Sequence, residues 1–201
     1  MRLAVNLPER AESMLDFWFG PEDDPARLQS RQIWFRSTPE FDAALRDAFL
    51  ADLEAAAEGG LAAWERSPEG ALALVLLLDQ VPRNIFRGTP RAYMTDAAAR
   101  AATYRALERG FDQQVPPVWR LFFYMPFHHS EDFADQRRAR ALFEALPSDP
   151  DRADILRYAR RYYEIIARFG RFPHRNTILG RASTPEEIAF LSGSDASSAV
   201  C

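Results

Sequence analysis

Apolar and polar positions alternate along this chain with the period of a helix almost throughout. Between Glu9 and Phe19, Met14, Leu15, Trp18 and Phe19 recur at helical spacing, and Gly20-Pro21 closes the segment. Thr38-Pro39-Glu40 reads as a helix start: a hydroxyl cap, proline at the first helical position, and a carboxylate at the positive helix end. Phe41, Leu45, Phe49 and Leu53 follow at intervals of four, a stripe that faces a core, and Gly59-Gly60 stops it. Ser67-Pro68-Glu69 repeats the start signal ahead of ALALVLLL at 71–78, which is apolar on every side. Such a run fits a buried strand or a buried helix. The capping signal, the Leu and Ala content and the helical neighbours predict a helix packed all round. Pro82 is expected to break it, with a second short helix over 81–87.

Further helices are expected downstream. One opens at Thr95-Asp96 with an alanine-rich face, and a very apolar one runs from Pro116-Pro117 to a stop at Pro126. Another covers 131–146, capped by Ser130. The longest, over 148–169, places Ile155, Tyr158, Tyr162, Ile165, Ile166 and Phe169 inside and most of its arginines outside. Thr184-Pro185-Glu186-Glu187 is a capping box for a last short helix, and 193–201 reads as a disordered tail. No alternating run pairs with a hairpin turn. The expectation is a single all-α domain over 1–192, about eight helices in antiparallel pairs.

Composition narrows the partners. The net charge of -4 and pI near 5.5 argue against a nucleic-acid binder, which carries a basic face. All 25 basic residues are arginine, so lysine-dependent Schiff-base chemistry and P-loop phosphate binding are excluded. The longest apolar run is far short of the ~20 residues a membrane span needs, and the N-terminal sequence lacks the apolar region of a signal peptide. Cys201 is the single cysteine, which fits a reducing compartment. A soluble cytoplasmic protein with no membrane partner is expected; its oligomeric state is left open.

Candidate chemistry gathers in three proline-led polar segments. Pro82, Pro126 and Pro173, 44 and 47 residues apart, each follow an apolar helix and lead PRN, PFHHSED and PHRN. All three histidines lie in the second and third segments. The spacing suggests helix ends that deliver polar groups to one side of the molecule. The expected ligand-binding residues are Asp79, Arg83, Asn84, Arg87, His128, His129, Glu131, His174, Arg175 and Asn176. Arg83, Arg87 and Arg175 suit bidentate binding of a carboxylate or phosphate, with Arg83 and Arg87 on one face if the chain stays helical. Asn84 and Asn176 add amide hydrogen bonds, and His128 or His174 can supply a proton. This pattern favours a binding protein for an anionic small molecule or an acidic peptide. The alternatives are a hydrolase using a His/Asp site, with or without metal, and a scaffold with surface grooves only. No cofactor and no metal is expected, since HExxH, a cysteine partner and an i,i+4 ligand pair are all lacking. A purely structural reading stands beside these: a buried polar network that fixes helix ends, with Asp79 paired to Arg83.

LLLDQVPRNIFRGTPRAY at 76–93, FFYMPFHHSED at 122–132 and RFGRFPHRNTILGRASTPEE at 168–187 resemble the bacterial family called domain of unknown function 924. DFWFG at 16–20 is similar to that family's opening. The resemblance implies a helical fold like that of tetratricopeptide-repeat proteins. By analogy of fold it implies a groove for peptides or partners. It supplies no activity and therefore no catalytic residue.

Overall fold

In the computed structural model, residues 7–147 and 152–193 are described; the expected tail from 194 onward lies outside them. Among the described residues there are eight α-helices and no strand. They are α1 (Glu9–Phe19), α2 (Pro39–Ala57), α3 (Pro68–Ile85), α4 (Asp96–Glu108), α5 (Pro117–His128), α6 (Phe133–Glu144), α7 (Arg152–Phe169) and α8 (Pro185–Ser192). Single-turn helical segments join several of them. Contacts divide the chain into two compact units, one of Met1–Arg87 with Arg91–Pro126, the other of Gly88–Pro90 with Phe127–Cys201.

The N-terminal unit is organised around α3. Every residue from Gly70 to Pro82 is buried, and α1, α2 and α4 all pack against this helix. Fully burying one leucine or valine stabilises by roughly 1.5–3 kcal/mol, so the ALALVLLL run is the unit's main apolar anchor. Its start is fixed by the Ser67 hydroxyl, which accepts from the Gly70 N–H at 3.0 Å. Thr38 caps α2 in the same way through the Phe41 N–H. Leu45, Phe49 and Leu53 of the α2 stripe are buried. Three of the four tryptophans, Trp18, Trp64 and Trp119, are core residues. Trp119 stacks on Phe19 with ring centroids 4.3 Å apart.

Two expected helix breaks do not occur. α3 continues through Pro82 to Ile85, and α5 continues through Pro126 to His128. Proline at 82 has no N–H to give the Leu78 carbonyl one turn back. The Thr95 hydroxyl takes that place, donating to the Leu78 oxygen at 2.6 Å. The freed backbone acceptor is thus satisfied and the helix persists. Thr95 accordingly makes no capping bond at the start of α4. A third difference is at α6, where Asp132 and not Ser130 is the cap: its carboxylate accepts from the Ala134 N–H at 2.7 Å. Ser130 instead accepts from the Asp132 N–H, holding the cap in place.

In the C-terminal unit α6 packs along α7. Tyr162, Ile165 and Ile166 of the α7 stripe form a core with Phe172, against which Phe169 and Phe190 pack. Positions 148–151 of the expected long helix lie outside the described residues. The capping box of α8 is present in full: Thr184 accepts from the Glu187 N–H, and Glu187 accepts from the Thr184 N–H.

Candidate functional site

The first polar segment lies in the N-terminal unit, on the last turns of α3. Asp79 is 1% exposed and accepts from Gln80 at 2.6 Å. Arg83 places Nη1 2.9 Å from Asp96 and 3.3 Å from Asp79, with its guanidinium 5.8 Å from the centre of the Tyr93 ring. Burial alone would lower the Arg83 pKa, but the two aspartates outweigh it and hold the group more firmly protonated than usual. Its Nη2 has no hydrogen-bond acceptor among the described residues. Asn84 donates to Asp42 at 2.7 Å and to Ser37 at 3.1 Å, and Arg87 reaches the other Asp42 oxygen at 3.3 Å. Arg83 and Arg87 therefore lie on separate carboxylates. These four side chains tie α3 to α2 and to the start of α4.

The second and third segments meet in the C-terminal unit. Glu131 stands in the loop between α5 and α6. It accepts from the Phe172 N–H at 2.7 Å and from both terminal nitrogens of Arg181, at 2.7 and 2.9 Å. Burial pushes its pKa up, but the Arg181 fork and the Phe172 amide win and hold it below the usual carboxylate range. Arg175, 5% exposed, donates to the His129 carbonyl at 2.9 Å and lies 4.6 Å from the Phe172 ring centre. Asn176 is fully buried; it accepts from Arg181 at 3.0 Å and donates to Ser183 and Glu187 at 3.1 and 3.2 Å. Glu187 also takes two bonds from Arg171, at 2.6 and 2.8 Å. With that Arg171 fork as the main cause, its pKa falls to about 2.

The three histidines differ. His128, in the last turn of α5, stacks on Tyr162 with centroids 4.1 Å apart and planes 14° from parallel. The His129 ring lies 5.6 Å from that of His128. His174 is half-buried, 5.5 Å from the Phe172 ring and 6.5 Å from Tyr162. Burial first, and the neighbouring Arg175 second, lower its pKa to about 4, so the imidazole is neutral at physiological pH. Its Nδ1 is buried with no hydrogen-bond partner among the described residues.

His128, His129, Glu131, His174, Arg175 and Asn176 are thus brought together, and Asp79, Arg83, Asn84 and Arg87 form their own group in the other unit. The sequence reading missed Asp42 and Asp96 in the first group and Arg171, Arg181, Glu187 and Tyr162 in the second. Arg171 and Arg181 flank the PHRN segment, and that placement was the available signal. Among the described residues no set of three or more His, Cys, Asp or Glu side chains is grouped to hold a metal ion. No helix among them is long and apolar enough to cross a membrane.

The comparisons with known proteins agree on kinship. The chain is similar to the solved structure of a protein of unknown function, ATU0120 from Agrobacterium tumefaciens. The two share 43% identity with a TM-score of 0.79, over 90% of this chain and 96% of that one. No curated protein matches the chain. The model of the family described as "bacterial protein of unknown function (DUF924)" matches residues 14–195, and the chain belongs to that family.

Proposed function

We propose that the chain is a cytoplasmic binding protein whose C-terminal unit takes an anionic small molecule or the acidic end of a peptide at the turn carrying His174 and Arg175. The observation that carries this is the His174 Nδ1, which is buried and has no hydrogen-bond partner among the described residues. An unmet polar atom in such a place costs about 1–3 kcal/mol, and a ligand that supplies the missing bond offsets that cost. In its Nδ1-protonated tautomer the neutral ring donates to a ligand oxygen without needing a charge of its own.

The side chains around the turn suit an anion: three guanidinium groups (Arg171, Arg175, Arg181) gather beside the neutral His174 ring, with Glu131 and Glu187 each taking one two-pronged arginine. At the end of α3, Asp42, Asp79 and Asp96 stand against Arg83 and Arg87. Carboxylates already face both of those arginines, which supports a structural role for Asp79, Arg83, Asn84 and Arg87 at the end of α3. A tetratricopeptide-like array of paired helices, with ligand-facing groups at helix ends, is compatible with this assignment. A hydrolytic role draws less support: an imidazole with a pKa of about 4 is a weak base at neutral pH, and Tyr162 covers one face of His128.

Calorimetric titration with inorganic phosphate and with succinate tests the reading. Saturable binding is expected in the wild type and in Arg87→Ala, weakened by about tenfold or more in His174→Phe. Absence of binding by either anion, or undiminished binding in His174→Phe, contradicts it.

A further inference from the structure

A second and unlike surface lies on the N-terminal unit, where α1, the loop after it and the starts of α3 and α5 enclose a groove of about 550 Å³. Its floor is apolar. Leu15 comes from α1 and Trp119 from α5, and Leu28 lies beside them with 58% of its surface exposed. Four carboxylates stand around this floor: Glu12, Glu22, Asp23 and Glu69. No ion pair among the described residues engages any of the four. Glu12 and Glu69 occupy the first turns of α1 and α3, where the positive helix end favours a carboxylate with or without a ligand. Glu22 and Asp23 sit in the loop and have no such explanation.

The groove's own arginine does not neutralise them. Arg27 pairs with Asp16, donates to the Gly20 carbonyl at 2.9 Å, and holds its guanidinium 5.2 Å from the Trp119 ring centre. It forms a wall. Asp24 is likewise engaged, accepting from the Ala26 N–H at 2.8 Å. What remains is a concave apolar strip bordered by negative charge that no ion pair among the described residues offsets, which concentrates the negative potential toward its floor.

We propose that this groove docks a basic, partly apolar peptide segment of a partner protein. Arginine or lysine side chains of the segment meet Glu12, Glu22, Asp23 and Glu69, and a leucine-sized side chain covers Leu28 and the Trp119 edge. Charge complementarity chooses the sign of the partner. The exposed Leu28 and the apolar floor set this site apart from a merely acidic surface, which would attract any cation. This assignment is independent of the anion site in the other unit.

Fluorescence anisotropy with a labelled decapeptide alternating leucine and arginine tests it, beside a decapeptide alternating serine and arginine, at about 150 mM salt. The leucine peptide is expected to bind saturably and about tenfold more tightly than the serine peptide. Glu22→Gln with Asp23→Asn weakens it by about tenfold, whereas Glu144→Gln with Glu164→Gln, which removes the same charge from α6 and α7, leaves it unchanged. Leu28→Ser lowers the affinity of the leucine peptide and not that of the serine peptide. All these substitutions are at surface positions, and circular dichroism confirms that the variants fold. Equal binding of the two peptides, no saturable binding of either, or equal losses from the two pairs of charge-removing substitutions overturns the proposal.

Discussion

The group at the end of α3 and the group around the 173–176 turn use the same side-chain types in different arrangements. Arg83 lies against two aspartates, and Asn84 and Arg87 share a third. Although the Arg83 Nη2 lacks an acceptor among the described residues, its charge faces both Asp79 and Asp96, which helps bind α3 to its neighbours. In the C-terminal unit Glu131 and Glu187 each take a two-pronged arginine, Arg175 donates to the His129 carbonyl, and a neutral imidazole keeps a buried nitrogen unmet among the described residues. Residue type therefore does not separate a fastening from the proposed binding site. What differs is the uncharged imidazole at 174, whose buried Nδ1 meets no hydrogen-bond partner among the described residues.

The sharpest way to break the comparison is Arg83→Ala. It takes the Arg83 charge away from buried Asp79, and a buried pair that loses one member costs roughly 3–4 kcal/mol. Urea unfolding is expected to show that loss, with phosphate binding intact in whatever fraction folds. A stability change under about 0.5 kcal/mol would mean that Arg83 does not fasten α3.

Acidification sharpens the other side. Native His174 stays neutral down to about 4, whereas an unfolded histidine titrates near 6.5. Between those values the unfolded chain holds the extra proton, so stability falls as pH drops through the window, by at most about 3 kcal/mol and less after allowance for the ring's partial exposure. Glu187, held at about 2 mainly by Arg171, adds a separate loss from about 4.5 downward. Unfolding curves at pH 7, 5.5 and 4.5 are expected to slope in the wild type and to flatten in His174→Phe. Equal slopes in the two proteins would remove His174 as the cause.

Smaller effects follow. Thr95→Val leaves the Leu78 carbonyl without the bond that replaces the missing proline N–H, for an expected loss of about 1–2 kcal/mol by urea unfolding. A neutral result would show that α3 tolerates Pro82 without this bond. Arg87→Ala removes a pair whose arginine is 57% exposed, and the expected change is below about 1 kcal/mol. A loss as large as that of Arg83→Ala would place the two arginines in one cooperative cluster.

Much of the fold was legible because its signals are local. The hydroxyl caps at Thr38, Ser67 and Thr184, the α2 stripe and the apolar run of α3 each lie within a few residues and turned out as the pattern predicts. Pro82 was misread for the complementary reason. The cost of proline is visible in the sequence, but its remedy is the hydroxyl of Thr95, seventeen residues beyond the Leu78 carbonyl it bonds. The candidate groups divide the same way. His174, Arg175 and Asn176 stand out as one polar segment, whereas the partners that set their charge do not. Arg181 meets Glu131 across fifty residues, and Asn84 meets Asp42 across forty-two. Glu187 was hidden by its second role: the capping box accounts for it in the sequence, and only packing adds Arg171 and Asn176 to the same carboxylate.

Nitrogen-resolved NMR of the His174 imidazole, followed through pH with and without phosphate, tests the central claim most directly. A neutral ring down to about pH 4 in the free protein is predicted, with an apparent pKa raised by about one unit or more when phosphate occupies the site. A free-protein pKa near 6.5, or a titration that phosphate leaves unmoved, would contradict the assignment of this turn as an anion site.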